Sequence, residues 1–216
     1  MSFDTYSALQ VEVTTLINRT DMATLVPSWI KLCEADMQRR LKVADQELST
    51  TLTATSGQAA LALPASFVKP RRLRLIQSGG YVDLWPVSLA PSLDDGVNTG
   101  ITRAVSLQGS NFILSPKPSS ALQFALDYYA KFTPLSDAAT SNWILANHPD
   151  AYLYGTALHS APKLGNDNRL PMWDRFYSNA IKGIKRADFE KRSSELQRST
   201  ELAGLTNRRF NINTGQ

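Results

Sequence analysis

Hydrophobic positions recur with a helical period at both ends of the chain and with a strand period in its middle. Phe3, Tyr6, Leu9, Val13, Leu16 and Ile17 fall at three- and four-residue steps, one apolar stripe of a helix. The stripe stops at Asn18-Arg19-Thr20-Asp21, a polar cluster that predicts a turn and a new N-cap. Pro27 then suits the first turn of a second helix, where its missing N–H is harmless. Ile30, Cys33, Met37 and Leu41 share the apolar face of that helix, and Lys31, Glu34, Gln38 and Lys42 are assigned to its solvated side. Cys33 reads as a small core residue rather than a reactive thiol.

After Ala44 the period changes to alternation. Leu48, Thr50 and Leu52 alternate with Ser and Thr, and Ala59, Leu61 and Leu63 resume the pattern beyond Ser56-Gly57. Arg71–Ile76 and Tyr81–Trp85 flank Ser78-Gly79-Gly80, which predicts a hairpin. A second hairpin is expected from Ala104–Leu107 through Gly109-Ser110-Asn111 to Phe112–Leu114, and a further strand between Ala121 and Phe132. Prolines at 64, 70, 86, 91, 116 and 118 forbid a long helix here.

From Asn142 the helical period returns. His148-Pro149-Asp150 opens a helix, with proline in its first turn and an acid beside the positive helix end. Tyr152, Leu153, Leu158 and Ala161 can face a core. Gly165-Asn166-Asp167-Asn168 breaks the chain, and a last helix carries Trp173, Phe176, Tyr177, Ala180, Ile181 and Ile184 at three- and four-residue steps, running on to about Ala203. The pattern predicts an α+β protein. Its α-helical bundle is formed by the N- and C-terminal segments, 1–45 and 134–204, with an inserted β-rich module, 46–133, and an extended C-terminal tail, 205–216.

Composition adds limits. A chain of 216 residues with 43% hydrophobic and 19% charged positions can bury a substantial core. A single cysteine allows no internal disulfide. The opening Met-Ser-Phe-Asp lacks the pattern of a signal peptide, and no apolar run approaches the roughly 20 residues a membrane span needs. The expectation is a soluble chain made in the cytoplasm without membrane contact, in which the sequon Asn18-Arg19-Thr20 arises by chance. The net charge of +4 is local. Residues 1–140 hold 12 basic against 12 acidic side chains, 141–180 hold 3 against 3, and 181–216 hold 8 against 4. Asymmetry of this kind marks a segment that meets a partner.

The motifs of catalysis are missing. His148 and His159 stand eleven residues apart, far from metal-binding spacing, and each reads as structural. The glycines form neither a phosphate loop nor a dinucleotide fingerprint, and no nucleophile elbow is present. Asp94-Asp95 read as solvated turn residues. The chain is expected to be no enzyme and to need neither cofactor nor metal. Arg71-Arg72-x-Arg74 is the stronger candidate for function. On a strand Arg72 and Arg74 share one face, with Arg71, Leu73 and Leu75 on the other. A solvated sheet face is the preferred reading, and contact with a phosphate backbone or an acidic partner the functional one.

The stretch from Tyr128 to Ala180 resembles the head-to-tail adaptor, or connector, proteins of tailed bacteriophages. The resemblance lies in Tyr128-Tyr129-Ala130-Lys131, Pro134-Leu135-Ser136-Asp137, Asn142-Trp143-Ile144-Leu145 and His148-Pro149-Asp150-Ala151-Tyr152-Leu153-Tyr154, completed by Leu158, Ala161, Asp167, Trp173 and Tyr177. The opening is similar too, with Tyr6, Leu9, Leu16–Asp21, Glu34-Ala35 and Arg39-Arg40-Leu41. Pro162 departs from that pattern and is expected to end its helix early. None of these residues needs a ligand. Trp143, Tyr152, Tyr154 and Trp173 supply apolar area with a polar handle, as core and interface anchors do.

The resemblance implies a structural adaptor in the virion neck, made in the host bacterial cytoplasm. It implies a ring of about a dozen copies beneath the portal protein, closed by heterologous contacts and joining the DNA-filled head to tail or nozzle proteins. The ring would continue the DNA channel, with non-specific contact to passing DNA, and Arg72 and Arg74 would face that channel or a neighbouring subunit. The C-terminal tail is the expected portal-docking element. Arg208 and Arg209 add charge, and Phe210 and Ile212 project to one face of an extended strand. A second reading stays open: a small DNA-binding protein that grips phosphate through its basic C-terminal helix and tail.

Overall fold

The computed structural model describes residues 3–84, 99–165 and 167–195. Helix α1 (Tyr6–Ile17) begins where Thr5 accepts a hydrogen bond from the Ala8 amide and ends at Asn18, which adopts the left-handed conformation with φ 58°. Its last carbonyls find a distant partner: the Arg169 guanidinium donates to Leu16 O at 2.9 Å and to Ile17 O at 3.0 Å. The connection predicted as a turn is instead a 3-10 helix, Thr20–Leu25, and α2 (Val26–Arg40) follows with Pro27 in its first turn.

Among the described residues the C-terminal segment supplies four more helices. Asn142 caps α3 (Trp143–Asn147), accepting from the Leu145 amide at 3.0 Å. His148 then precedes Pro149, the first residue of α4 (Pro149–His159). The helix stops at Ser160, and Pro162 lies in the first turn of the short α5 (Ala161–Leu164), so the departing proline does end the helix early. Helix α6 (Leu170–Glu195) has 26 residues and a length of about 39 Å. Its predicted continuation to Ala203 lies outside the described residues.

These helices close on one core that takes Leu9, Val13 and Ile17 from α1, Ile30, Cys33 and Met37 from α2, and Trp173, Tyr177 and Ile181 from α6. Gly155 of α4 is its tightest point. A Cβ there would stand 2.4 Å from Cys33 Sγ and 2.8 Å from the Tyr177 ring, so only glycine lets α4 lie between α2 and α6.

The middle of the chain forms strands β1 (Glu47–Ala54), β2 (Ala60–Ala62), β3 (Phe67–Gln77), β4 (Gly80–Leu84), β5 (Thr99–Gly100), β6 (Ala104–Gln108), β7 (Asn111–Ser115), β8 (Lys117–Pro118) and β9 (Leu122–Ala130). Both predicted hairpins form. Gln77 pairs with Gly80, and Gln108 pairs with Asn111 across a turn in which Gly109 takes φ 59°. Four strands make one antiparallel sheet in the order β1-β9-β3-β4, three make another in the order β2-β7-β6, and β5 pairs with β8 in parallel. Alternate residues Phe124, Leu126, Tyr128 and Ala130 of β9 meet Leu61, Val105, Phe112 and Leu114 of the smaller sheet in a second core. Phe67 ties the two sheets, edge-on to Phe112 at 6.1 Å and stacked on Tyr128 at 5.7 Å. Trp85, the end of the first predicted hairpin, and Asp94-Asp95 lie outside the described residues.

The chain is therefore mixed, with a helical bundle from its two ends and antiparallel sheets between them. The two parts meet at Phe132, which follows β9 and is buried in the helical core, and through polar contacts. Arg192 of α6 donates to Glu47 Oε1 at 2.6 Å, Asp188 accepts from the Ala44 amide at 2.6 Å, and Gln38 accepts from the Phe132 amide at 3.2 Å. Glu47 also pairs with Arg71.

Candidate assembly surfaces

Burial sorts the residues singled out in the sequence into two groups. Tyr152 and Trp173 are fully buried, and the Arg169 guanidinium lies over the Trp173 ring, 4.9 Å from its centroid. Neither Trp143 Nε1 nor Trp173 Nε1 meets an acceptor among the described residues. Trp143 packs edge-on against His148 at 6.3 Å. On the outside, Asp150 is exposed, and Tyr154 lies against Phe176 with ring centroids 4.9 Å apart. His148, Asp150, Tyr154, Phe176, Asn179 and Gly183 line one open groove between α4 and α6, where Phe176 stays 40% exposed. A half-buried tyrosine against an exposed phenylalanine is the sort of anchor that protein interfaces use.

The solvated side assigned to α2 needs one correction. Glu34 is buried. Its Oε1 accepts from the Leu135 amide at 2.7 Å and from the Tyr152 hydroxyl at 3.0 Å. Tyr152 in turn accepts from Asn142 Nδ2 at 2.7 Å, and the same amide donates to Thr133 O at 2.9 Å. Burial pushes the Glu34 carboxyl above its ordinary range, and the two donors only partly offset this. Two positions on, Asp36 is buried as well and accepts from the Tyr177 hydroxyl at 2.8 Å and from Arg40 Nε at 2.8 Å. Burial raises its pKa, but Tyr177, Arg40 and Arg39 together outweigh that and hold it below the ordinary range. Burial also drives both phenols well above the usual range, so each remains a donor. The two carboxylates bolt α2 to α4 and α6.

The arginine cluster lies on the outer face of the four-stranded sheet. Arg72 and Arg74 share that face, as alternation requires, and both meet acids there. Arg72 forks onto Asp83 at 2.7 and 3.0 Å, and Arg74 reaches Asp127 at 3.2 Å while lying over the Tyr81 ring at 4.7 Å. Arg71 departs from the predicted alternation. The register advances two residues on β3 against one on β9 between Pro70 and Arg72, a bulge that leaves Arg71 exposed and turned to Glu47. Arg208, Arg209, Phe210 and Ile212 lie outside the described residues.

Chemistry beyond packing finds little to use. Cys33 is fully buried and burial pushes its thiol far up. His159 is held below the ordinary imidazole range, chiefly by burial. Among the described residues no group of three His, Cys, Asp or Glu side chains converges, and no helix is long and apolar enough to cross a membrane. A sequence model of the family described as SU10 adaptor protein matches residues 4–200. No curated protein matches the chain.

Proposed function

Because the chain belongs to the SU10 adaptor protein family, a family of structural bacteriophage proteins, we propose that it joins the DNA-filled head to the tail in the virion neck. About a dozen copies form a ring beneath the portal protein and continue the DNA channel toward tail or nozzle proteins, through heterologous contacts between neighbours. The observation that carries this reading is the extent of the family match, which takes in both helical ends and the β-rich middle. The distribution of chemistry supports it. The large motif residues Tyr152 and Trp173 are spent on packing, and the partly buried Tyr154 and exposed Phe176 line a groove suited to a protein neighbour.

In this reading the free chain is monomeric and closes its ring only on the portal, since contacts that closed freely would assemble prematurely. Arg208, Arg209, Phe210 and Ile212 dock on the portal, and Arg72 and Arg74 face the channel or the adjoining subunit as charge-paired side chains. Light scattering on the purified chain, alone and mixed with portal rings, followed by imaging of the mixture, tests it. A monomer alone and a second ring seated on the portal are expected. Absence of any complex with portal rings overturns the assignment, and a stable ring at micromolar concentration without portal overturns the assembly order.

A further inference from the structure

Most arginines of the described residues already have acids. Arg19, Arg40, Arg71, Arg72, Arg74, Arg169, Arg186 and Arg192 each meet a carboxylate. The lysines behave differently. Lys42, Lys69, Lys182 and Lys185 meet no carboxylate among the described residues, and neither does Arg175.

The fold gathers these five cations. Arg175, Lys182 and Lys185 are exposed on α6, and steps of seven and three residues place them along its outward side, opposite the buried Trp173, Tyr177 and Ile184. From Arg175 to Lys185 the stripe runs roughly 15 Å. At its end the other elements arrive. Asp188, one turn beyond Lys185, holds the Ala44 amide at 2.6 Å and so fixes the chain just after Lys42. Lys69 pairs across the sheet with Tyr129, whose hydroxyl lies 3.4 Å from Arg192 of the same helix. Lys42 is held below the ordinary lysine range, by burial first and then by the charges of Lys69 and Lys185, as close neighbours of like sign require. Two of the nearby acids are engaged, Asp188 with Arg192 and the Ala44 amide and Asp45 with Lys191, while Asp174 beside Arg175 is exposed.

We infer that the outward side of α6, extended by Lys42 and Lys69, is a contact surface for the phosphate backbone of double-stranded nucleic acid. Lysine content favours this partner over an acidic protein, and the exposed Phe189, one turn beyond Lys185, is the side chain that a protein partner would use. Protein interfaces are depleted in lysine and enriched in arginine and aromatic side chains, because a hydrated, mobile ammonium is costly to fix. A phosphate backbone asks only for point charges along a line and returns binding free energy through released counterions. The surface also differs from the sheet face bearing Arg72 and Arg74, where acids already neutralise the arginines. The inference adds a contact to the proposed function without depending on it, because it is read on the free chain.

The test is anisotropy titration of the full chain against a labelled random-sequence duplex of about 30 base pairs at several salt concentrations. Lys69, Lys182 and Lys185 are all changed to Gln; Lys42 is left, because its ammonium caps the end of α2 by donating to Gln38 O at 2.7 Å and Leu41 O at 2.9 Å. Wild type should bind with steep salt dependence, and the triple variant should lose about 2.7 from the log–log slope, about 0.9 for each phosphate contact removed. The basic side chains beyond residue 195 stay in both proteins, so they cancel in the difference. Arg72→Gln with Arg74→Gln should leave the slope unchanged. Equal slopes for wild type and triple variant overturn the inference. If such a variant also fails to join assembled particles, the surface meets an acidic protein instead. Should the triple variant melt early, Lys182→Gln alone must still lower the slope by about 0.9.

Discussion

The Tyr152 hydroxyl of α4 donates to Glu34 of α2 at 3.0 Å, inside the helical core and 118 positions away along the chain. The bond joins the two ends of the sequence, and the Leu135 amide completes it from the segment that returns from the sheets. A buried carboxylate with two donors is a strong local restraint, and losing one donor costs far more than the bond's net worth.

Glu34 and Asp36 should therefore respond to pH in opposite senses. The folded-state pKa of Glu34 lies above its ordinary value of 4.5, so its contribution to stability is fully present below that value and is lost as pH rises through the folded pKa. That of Asp36 lies below 3.8, so its contribution is present above that value and is lost as pH falls through the folded pKa. Urea unfolding of Glu34→Gln and Asp36→Asn across pH 3 to 8 reads both. The deficit of Glu34→Gln relative to wild type should be greatest in acid and shrink as pH rises, and that of Asp36→Asn should shrink as pH falls. Parallel profiles would refute the assignment.

Gly155→Ala should destabilise the bundle by about 3 kcal/mol, the upper part of the usual range for overpacking. The new methyl carbon meets Cys33 Sγ at 2.4 Å and has no open side, since the Tyr177 ring stands at 2.8 Å. Cys33→Ala removes the sulfur and should recover a measurable part of the loss, so the pair is non-additive in denaturant melts. Simple addition of the two effects would place the strain elsewhere.

Much of this was legible in the sequence, and the omissions have causes. Helical and alternating periods are local, so both ends and both hairpins were visible. Glu34 was set among solvated residues for its charge, although it stands four residues after Ile30 and three before Met37, within the apolar stripe. Its spacing alone marks it as a core position. The bulge at Arg71 had only Pro70 as a signal, since a residue without an N–H cannot complete the ladder. The grouping of Lys42 and Lys69 with Lys185 had none, because it exists only once the sheet edge meets the last helix. Of the candidate site residues, Tyr152 and Trp173 are fully buried in the helical core.

Arg72 and Arg74 should separate on substitution. The Arg72–Asp83 pair is exposed on both sides, so Arg72→Ala should leave stability nearly unchanged. Arg74 is less exposed, lies over Tyr81, and shares Asp127 with the Ser49 hydroxyl. Its loss should cost about 1 kcal/mol. Thermal melts of the two single variants give the comparison, and equal effects would assign both arginines to the same environment.

Residues 46–133 should fold without the bundle. Their core lies between their own two sheets and draws no residue from a helix, while the junction rests on Phe132, which is buried in the helical core, and on Arg192–Glu47 and neighbouring polar contacts. The isolated segment should give dispersed amide spectra and a cooperative melt. A double-mutant cycle on Arg192 and Glu47 in the whole chain should return about 1 kcal/mol or less. A disordered fragment would make the module dependent on the bundle.

The tail and the aromatic groove make rival predictions for portal docking. Phe210 and Ile212 fall two residues apart, so one face of an extended strand carries both, with Arg208 and Arg209 beside them. Such a strand can add to a sheet edge on a partner, and repetition around a ring offsets the ordering cost of each copy through effective concentration. Deletion of 205–216 should then leave a folded, soluble monomer that fails to join portal-containing heads. Phe176→Ala removes the exposed ring of the tilted Tyr154–Phe176 pair and, because that ring is 40% exposed, leaves the buried side of α6 in place. If Tyr154 and Phe176 meet the neighbouring copy, this variant should still load single chains on the portal but at reduced occupancy. Counting copies per head by quantitative gel or imaging separates the two. Normal occupancy after tail deletion, with occupancy lost in Phe176→Ala, would move the portal contact from the tail to the groove between α4 and α6.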